Sequence, residues 1–228
     1  MNELIVFQND ILGVVCVYVY VAILLILTEK ISSKKYPIAS RKILHIMVGN
    51  IAFLLPIFQT REIMAFFAAG PFILFTFLMS PYSPISKLKG KTSKAGHGMG
   101  LVYYAITWTV LAYVFFDYTE IIAIGILAMS YGDGFASLIG IKYGKTKYNI
   151  FGELKSYIGS YSMFVLTFLL IIIALLFYGK FSLDLIHLTA IIAISFLSTL
   201  VEGLTPKGLD NLSVPFITSI LYYFLLAL

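Results

Sequence analysis

Apolar residues fall into eight long runs separated by short polar segments, which predicts an all-α bundle of about eight transmembrane helices. A helix needs about 20 apolar residues to cross roughly 30 Å of hydrocarbon. The runs cover residues 5–28, 42–58, 62–79, 100–116, 120–140, 157–178, 184–202 and 212–228. The composition agrees, because 60% of the 228 residues are hydrophobic and only 12% are charged, against about 25% charged in soluble domains. We therefore predict a polytopic integral membrane protein with a single membrane-embedded domain over residues 1–228.

The basic residues predict which polar segments face the cytoplasm. Segments after the first, third, fifth and seventh runs carry 14 of the 16 lysines and arginines, and the other side has only Arg61 and Lys180. By the positive-inside rule those four segments are cytoplasmic and both termini face outwards. The N-terminal residues include Glu3 and Asp10 but no basic segment, so we expect a retained first span rather than a cleaved signal peptide. The net charge of +5 thus follows topology and does not indicate nucleic-acid binding.

An aspartate in the fifth run is the strongest indication of a functional site. Asp133 lies about six residues, or about 9 Å, inside the end of this run. A carboxylate there is costly unless it faces a polar cavity, so a functional role is the first interpretation. Gly132 and Gly134 flank it, and we expect the helix to open and admit water at this point. Pairing with a lysine purely for packing is the alternative.

Glycines and lysines that suit phosphate binding follow Asp133. Gly140 to Lys145 is not a Walker A motif, because it has three residues between the glycines and follows a membrane helix rather than a strand. Lys155 and Ser156 precede the sixth run. A lysine there opposes the helix dipole, whereas lysine, hydroxyl and backbone N–H groups together make a reasonable phosphate site. Anchoring of Lys155 at the membrane surface is the alternative.

The second run begins with a polar helical face. Spacings of three and four place Lys42, His45 and Gly49 on one face, with Arg41 beside them. Snorkelling of the basic residues and helix packing at the glycine would explain this face without a functional role. That explanation is weaker for His45, which lies about one helical turn inside the span.

The cytoplasmic segment Pro81 to Gly100 combines lysines with glycines. Four lysines near a membrane surface typically bind anionic lipid, whereas the glycines indicate a mobile loop over a substrate. The residues concerned are Lys87, Lys89, Lys91, Lys94, Gly96, His97 and Gly98.

Two further acids lie at the end of the seventh run and shortly before the eighth. Asp210, followed by Asn211, is suited to cap the eighth helix, but Glu202 ends an apolar helix and indicates a metal or a lysine partner. Carboxylates with glycines and lysines fit Mg²⁺ and a nucleotide, since Mg²⁺ is typically held by one or two carboxylates and substrate phosphates. The sequence has no zinc-ligand spacing, and its one cysteine, Cys16, lies in an apolar run and is expected to be a core residue.

Four motifs in this order make the chain similar to the CTP-dependent lipid-alcohol kinases, which comprise phytol kinase, dolichol kinase and the CTP-dependent diacylglycerol kinase. The resemblance runs from about residue 41 to 216, most of the chain. The motifs are Arg41-Lys42-x-x-His45-x-x-x-Gly49, Gly132-Asp133-x-x-Ala136-x-x-x-Gly140-x-x-x-Gly144-Lys145, Lys155-Ser156-x-x-Gly159-Ser160 and Gly208-Leu209-Asp210-Asn211-x-x-x-Pro215.

The resemblance implies transfer of the γ-phosphoryl group of CTP to a lipid alcohol at the cytoplasmic membrane face. The acceptor would be a prenol, such as geranylgeraniol, phytol, a polyprenol or dolichol, or else diacylglycerol. Asp133 and Glu202 would hold Mg²⁺, Lys155 would be catalytic, and His45 or Asp210 would accept the alcohol proton. The residues expected to bind the nucleotide are Lys42, Gly132, Gly134, Gly140, Gly144, Lys145, Ser156, Gly159, Ser160 and Asn211.

One departure and two alternatives qualify this expectation. Many relatives carry Glu where this chain has Ile158, so Glu153 or Glu202 must replace any role of that acid in metal binding.

The middle motifs are also similar to CDP-diacylglycerol synthases, which would make a CDP-lipid from a lipid phosphate. The region after the seventh run is net acidic, which favours a neutral hydroxyl acceptor over a phosphate. A transporter is a more distant alternative, because its polar residues would lie near the midplane rather than on one side.

Overall fold

Helices make up nearly all of the regular structure, as the sequence predicts for an all-α membrane protein. The computed structural model describes residues 3–32, 37–85, 98–206 and 208–227. These residues group into two compact units, Met1–Thr119 and Glu120–Leu228. That the two units act as one domain stays a prediction.

Within the part of the chain that the structure describes, five helices are long and apolar enough to cross a membrane, judged by length and composition. Three shorter apolar helical segments, Lys42–Ile57, Ile63–Met79 and Gly100–Val114, occupy the second, third and fourth predicted runs. Each of the eight predicted runs therefore contains a helical segment. The five long spans are Glu3–Thr28, Thr119–Tyr143, Tyr157–Phe177, Leu185–Leu204 and Asp210–Ala227.

The described residues of the first unit form four α-helices and several irregular helical turns. Pro37 and Pro71 begin two of the α-helices, where a missing backbone N–H costs nothing and the fixed φ suits the first turn. The elements are α1 (Glu3–Ser32), α2 (Pro37–Val48), 3₁₀ turns Gly49–Phe53 and Leu55–Ile57, a π-helical segment Ile63–Ala69, α3 (Pro71–Met79) and α4 (Gly100–Val114).

Polar contacts connect α1 to the segment that follows the 3₁₀ turn Leu55–Ile57 in the first unit. The carboxylate of Asp10, which is only 2% exposed, accepts hydrogen bonds from the backbone N–H groups of Gln59 (2.7 Å) and Thr60 (3.2 Å). Next to them, Arg61 forms an ion pair with Asp117 at 2.5 Å. The charge pattern assigned Asp10, Arg61 and Asp117 to the same side of the membrane, and these contacts agree with that grouping.

In the second unit, the residues that the structure describes form five α-helices and a β-hairpin. The first helix of this unit forms its core, since every residue from Glu120 to Leu127 is buried. The elements are α5 (Thr119–Leu127), a π-helical segment Ala128–Asp133, α6 (Gly134–Tyr143), β1 (Lys147–Ile150), β2 (Glu153–Ser156), α7 (Tyr157–Phe177), α8 (Leu185–Leu204), α9 (Asp210–Tyr222) and a π-helical segment Tyr223–Ala227.

The backbone at Asp133 differs from the expectation of an opened helix. Asp133 keeps helical dihedral angles (φ −64°, ψ −42°) and ends a π-helical segment that continues into α6. Gly132 is needed here for packing, because a Cβ atom would lie 2.8 Å from Thr167 Oγ1 and 2.9 Å from Met163 Sδ on α7. The backbone therefore stays helical at Asp133 and changes there from π-helical to α-helical geometry. π-Helical segments within α-helices are often found at functional sites.

The β-hairpin is the element that the sequence did not predict. The strands are antiparallel, with Tyr148 opposite Lys155 and Ile150 opposite Glu153. The two turn residues, Phe151 (φ 49°) and Gly152 (φ 85°), both have positive φ, as a type I′ hairpin turn requires. Phenylalanine is an unusual residue at such a position, so the usual turn signature is missing from the sequence.

Candidate active site

Three acids of the second unit converge, although they are far apart in the sequence. One carboxylate oxygen from each of Asp133, Glu202 and Asp210 lies within 4.8 Å of the other two. Asp133 and Glu202 are buried, with 6% and 8% of their surfaces exposed, and Asp210 is half-buried. The sequence analysis assigned Asp133 and Glu202 to a metal, and the structure adds Asp210 to the same cluster.

Each acid of this cluster sits at the end of a helical element. Asp133 ends the π-helical segment before α6, Glu202 lies in the last turn of α8, and Asp210 begins α9. The segment between α8 and α9 is short and is held by a hydrogen bond between the Thr205 and Ser213 hydroxyls at 2.9 Å. It therefore turns the chain back so that Glu202 and Asp210 face Asp133.

Lys155 supplies a positive charge to the acidic cluster. Its ammonium group lies 2.9 Å from the Glu202 carboxylate, and the two side chains are only 14% and 10% exposed. It also donates hydrogen bonds to the backbone carbonyls of Glu202 and of Thr205, the latter at 3.1 Å. These carbonyls belong to the C-terminal end of α8, where the helix dipole favours a cation. The hairpin that precedes α7 is what brings Lys155 to this position.

The acids keep Lys155 protonated at neutral pH. Burial lowers the pKa of its ammonium group, but Coulombic attraction and a hydrogen bond from Glu202, with contributions from Asp210 and Asp133, outweigh burial. The net result is a pKa raised above the usual 10.5. Three carboxylates and one ammonium leave the cluster with a formal charge of about −2 when all are ionised.

The donor set of the cluster fits a magnesium ion. Mg²⁺ prefers oxygen ligands at about 2.0–2.1 Å, so opposite ligands are about 4.2 Å apart. The carboxylate oxygens, all within 4.8 Å of one another, need to move by less than about 1 Å to meet that geometry. A divalent cation would also offset the negative charge of the three carboxylates.

Ser156 and its neighbouring glycines form a closely packed crossing of α6 and α7. The Ser156 hydroxyl caps α7 by accepting a hydrogen bond from the Gly159 backbone N–H at 3.1 Å. A Cβ atom added to Gly140 or to Gly144 would lie 2.7 Å from the Ser156 oxygen. One added to Gly159 would lie 3.0 Å from the Ala136 carbonyl. The glycine spacing in the motif thus has a packing role, and nucleotide binding by these residues stays a prediction.

Tyr148 is a site residue that the sequence analysis missed. Its hydroxyl lies 2.7 Å from the Ser160 hydroxyl, and its ring is 5.2 Å from the Tyr157 ring. Tyr148 faces Lys155 across the hairpin, so it helps to fix the strand that carries the lysine. Alternation of apolar and polar residues over 147–150 was the available signal, but it is short and lies next to a long apolar helix.

The remaining predicted residues are distributed over both units. Gly134 follows Asp133 at the start of α6, Asn211 follows Asp210 in α9 and is 5% exposed, and Lys145 is exposed after α6. His45 and Lys42 lie on α2 in the first unit, where His45 is 7% exposed and packs edge-on against the Tyr104 ring at 4.9 Å. The acidic cluster is therefore complete without them.

Several sequence predictions fall on residues outside the described ones. These are Lys87, Lys89, Lys91, Lys94, Gly96, His97 and Lys207, as well as the side chain of Arg41. Ile158, which replaces the Glu of many relatives, is 39% exposed on the first turn of α7. Glu202, rather than Glu153, is the acid found in the cluster.

Comparison with known proteins identifies the family. The chain is 35% identical over 182 residues to a phytol kinase of Synechocystis sp., a match covering 77% of this chain and 74% of the relative. It is 30% identical to a probable chloroplastic phytol kinase of Triticum aestivum, covering 82% and 67%, and 33% identical to the chloroplastic phytol kinase 1 of Arabidopsis thaliana, covering 81% and 65%. No family model and no solved structure matches the chain. With these identities over most of its length, the chain belongs to the phytol kinase family of lipid kinases.

Proposed function

We propose that this protein transfers the γ-phosphoryl group of CTP to the hydroxyl of a prenol at the cytoplasmic face of a membrane. The observation that carries the proposal is the convergence of Asp133, Glu202 and Asp210 within 4.8 Å, with Lys155 paired to one of them. The phosphoryl donor is inferred from the motifs, and the prenol from the phytol kinase relatives.

The acidic cluster supports metal-assisted phosphoryl transfer. Mg²⁺ held by the three carboxylates would neutralise charge on the nucleotide phosphates, which repel a nucleophile. Lys155 is fixed beside the same carboxylates and can stabilise charge that develops on the transferred group. Lys145, which is exposed after α6, can reach the phosphates of an entering nucleotide. The site thus supplies positioning and electrostatic stabilisation, which account for most of the catalysis in this type of reaction.

The reaction exchanges one oxygen–phosphorus bond for another. The prenol oxygen forms a bond to the γ-phosphorus, the bond from the γ-phosphorus to the β–γ bridging oxygen breaks, and CDP leaves. The hydroxyl proton must go to a base, and Asp210 is the more exposed acid of the cluster. His45 is the alternative base, and the pH profiles of Asp210→Asn and His45→Gln distinguish the two.

A neutral acceptor suits the charge of this site. With Mg²⁺ bound, three carboxylates and one ammonium would leave no net positive charge to attract a lipid phosphate, whereas a lipid hydroxyl needs none. The cluster lies near the ends of the fifth and seventh predicted runs and the start of the eighth. The charge pattern predicts that these ends face the cytoplasm, so we place the site on that side.

Labelled CTP tests the proposed reaction directly. Purified protein with Mg²⁺ and geranylgeraniol or phytol is incubated with γ-labelled and α-labelled CTP in separate reactions. We expect label in the lipid from γ-labelled CTP only, with release of CDP. Label in the lipid from α-labelled CTP, with pyrophosphate released, would show a cytidylyltransferase and contradict the proposal. Asp117→Asn, an acid of the other unit, serves as a control that keeps activity.

A further inference from the structure

The β-hairpin of the second unit has two faces that differ in exposure. Residues opposite each other on the paired strands lie on the same face, and successive residues alternate between the faces. The inner face is half-buried along its length, whereas the outer face is exposed. Packing within the unit therefore accounts for the inner face but not for the outer one. The inner face consists of Tyr148, Ile150, Glu153 and Lys155, and the outer face consists of Lys147, Asn149 and Leu154.

Two apolar side chains at the tip of the hairpin are mostly exposed. Phe151 in the turn is 76% exposed, and Leu154 on the outer face is 69% exposed. Phe151 has a φ of 49°, which bulky residues rarely adopt, and asparagine or glycine would suit this turn better. Backbone strain of this kind is a reason to look for a function. Because the residues that the structure describes cover little of either side chain, we look for a surface that covers them.

Both ends of the hairpin lie at a membrane boundary. Tyr143 ends the span Thr119–Tyr143, and Tyr157 begins the span Tyr157–Phe177. The two tyrosines are 58% and 61% exposed, and tyrosines at the ends of spans typically lie at the level of the lipid headgroups. Each strand has four residues and is therefore about 13 Å long. The tip thus stays close to the headgroups unless the hairpin stands upright on the membrane.

Contacts of the inner face hold the hairpin across the end of α8. Lys155 donates hydrogen bonds to the backbone carbonyls of Glu202 and Thr205. A Cβ atom at Gly203 would lie 3.1 Å from the Tyr148 hydroxyl oxygen. Because α8 is one of the helices long enough to cross the membrane, its C-terminal end also lies at the boundary. The hairpin therefore lies against the unit at this level, with its outer face directed away from α8.

Three exposed lysines lie at the base and on the outer face of the hairpin. Lys142 is in the last turn of α6, and Lys145 and Lys147 follow it. No described residue forms an ion pair with any of the three. The only acid between residues 141 and 157 is Glu153, on the inner face. Anionic lipids of the cytoplasmic leaflet attract lysines placed in this way. Positive charge beside exposed apolar side chains is therefore complementary to an anionic membrane surface.

We infer that the tip and outer face of the hairpin dock onto anionic phospholipids of the cytoplasmic leaflet. Phe151 and Leu154 enter among the lipid chains, and Lys142 and Lys147 contact the lipid phosphates. Aromatic and basic residues are the types that favour this interface. The inference goes beyond the proposed reaction and does not depend on it, because it concerns the face of the hairpin opposite Lys155. Docking would hold strand β2 from that opposite side.

A tryptophan placed at the tip tests this inference. Phe151→Trp is made on a Trp108→Phe background, so that the tip carries the only tryptophan in the protein. Emission is recorded in nanodiscs of phosphatidylcholine, alone or mixed with phosphatidylglycerol, in which some phosphatidylcholine carries a nitroxide on its acyl chain. We expect strong quenching by the nitroxide lipid and weak quenching by aqueous iodide when phosphatidylglycerol is present. Full access to iodide without quenching by the nitroxide lipid overturns the inference.

Charge variants test the role of the lysines. Lys142→Gln and Lys147→Gln should each lower the ratio of docked to undocked hairpin about fivefold, and quenching by the nitroxide lipid should decrease with that ratio. Lys180→Gln is the matched control, because it removes an exposed lysine beyond the other end of α7, and it should leave quenching unchanged. Equal quenching in all of these variants, or equal quenching with and without phosphatidylglycerol, contradicts the inference.

A second probe leaves Phe151 in place and applies if the tryptophan variant does not fold. Leu154→Cys on a Cys16→Ala background carries a single cysteine, which is labelled with bimane and should be quenched by the nitroxide lipid. Adding Phe151→Asn suits the turn but removes the ring, so quenching should decrease. Quenching that Phe151→Asn does not change overturns the inference. Protection from iodide without quenching by the nitroxide lipid shows that protein covers the tip, and that also overturns it.

Discussion

Buried charge is the main feature of the site at the scale of single residues. Asp133 and Glu202 are almost completely buried, and burying a charge is costly unless a partner compensates it. Lys155 compensates part of the negative charge, through its ion pair with Glu202. A divalent cation on the carboxylate oxygens would compensate it further.

Removing one acid should abolish most of the activity. In Asp133→Asn the cluster loses one charge and one ligand with little change in shape, and losing one such electrostatic contact typically costs about 10²–10³ in rate. We expect this loss in kcat for prenol phosphorylation at saturating CTP. Glu153→Gln, on the hairpin but outside the cluster, should retain activity, and a full rate in Asp133→Asn would exclude the assigned role.

Removing Lys155 should destabilise the protein. Lys155→Met removes the ion pair from the buried Glu202, and breaking a buried ion pair typically costs about 3–5 kcal/mol. We expect a lower thermal unfolding midpoint by circular dichroism in detergent. Adding Glu202→Gln should recover part of the loss, because the uncompensated charge is then gone. If the loss of stability in the double variant equals the sum of the losses in the two single variants, the two side chains are not coupled.

The pH dependence of this contribution follows from the raised pKa of Lys155. A lysine with a raised folded-state pKa stabilises fully below its unfolded value of about 10.4 and loses that effect as the pH rises through the folded value. The difference between wild type and Lys155→Met should therefore be constant from pH 7 to 9. A difference that disappears within this range would contradict the ion pair.

The sequence indicated the charged residues of the acidic cluster but not the residues that hold them in place. Asp133, Glu202 and Lys155 stand out because ionisable residues are rare next to apolar runs. Tyr148 could not be found in this way, since a tyrosine in a short polar segment has many roles. Asp210 lies beside Asp133 and Glu202 because of the turn between α8 and α9. That turn is a feature of the tertiary structure, so the sequence alone does not predict it.

At the scale of elements, close helix crossings at glycines hold the second unit together. In α5, a Cβ atom at Gly125 would meet the Ser219 hydroxyl and lie 2.7 Å from the Pro215 carbonyl oxygen on α9. The Ser219 hydroxyl donates to the Ile121 carbonyl at 3.0 Å across the same crossing. Because α9 begins with Asp210, this crossing also determines where that acid lies.

A methyl group at Gly125 should therefore be poorly tolerated. Overpacking a close-packed core typically costs about 1–3 kcal/mol, so we expect Gly125→Ala to lower the thermal unfolding midpoint. Gly203→Ala is a matched control, because its Cβ atom would meet only the Tyr148 hydroxyl at 3.1 Å, the tip of a long side chain. Equal effects of both substitutions would contradict the role of the α5–α9 crossing.

The eight runs predicted the helical elements well but not their irregularities. Length and hydropathy determine which segments form apolar helices, and each predicted run contains one. The π-helical segment at Ala128–Asp133 packs closely against α7 at Gly132, and this contact involves residues about 30 positions further along the sequence. The hairpin was missed because Phe151 stands where a turn usually has asparagine or glycine.

At the scale of the whole molecule, the distribution of charge predicts the orientation in the membrane. Asp117 and Lys147 flank the span Thr119–Tyr143, so single cysteines at these positions should lie on opposite sides. On a Cys16→Ala background, we expect an impermeant maleimide added to intact cells to label Asp117→Cys and to label Lys147→Cys only after permeabilisation. The reverse pattern would invert the topology, and labelling of both from outside would exclude the span.

The central claim is that the three acids together hold a divalent metal ion. Mn²⁺ binding to the purified protein, measured by electron paramagnetic resonance without nucleotide, tests this most directly because the ion replaces Mg²⁺ on oxygen ligands. We predict a bound ion in wild type and in Asp184→Asn, which changes a half-buried acid that caps α8 outside the cluster. Binding should be at least tenfold weaker in Asp133→Asn, Glu202→Gln and Asp210→Asn. Unchanged Mn²⁺ binding in these three variants would contradict the account.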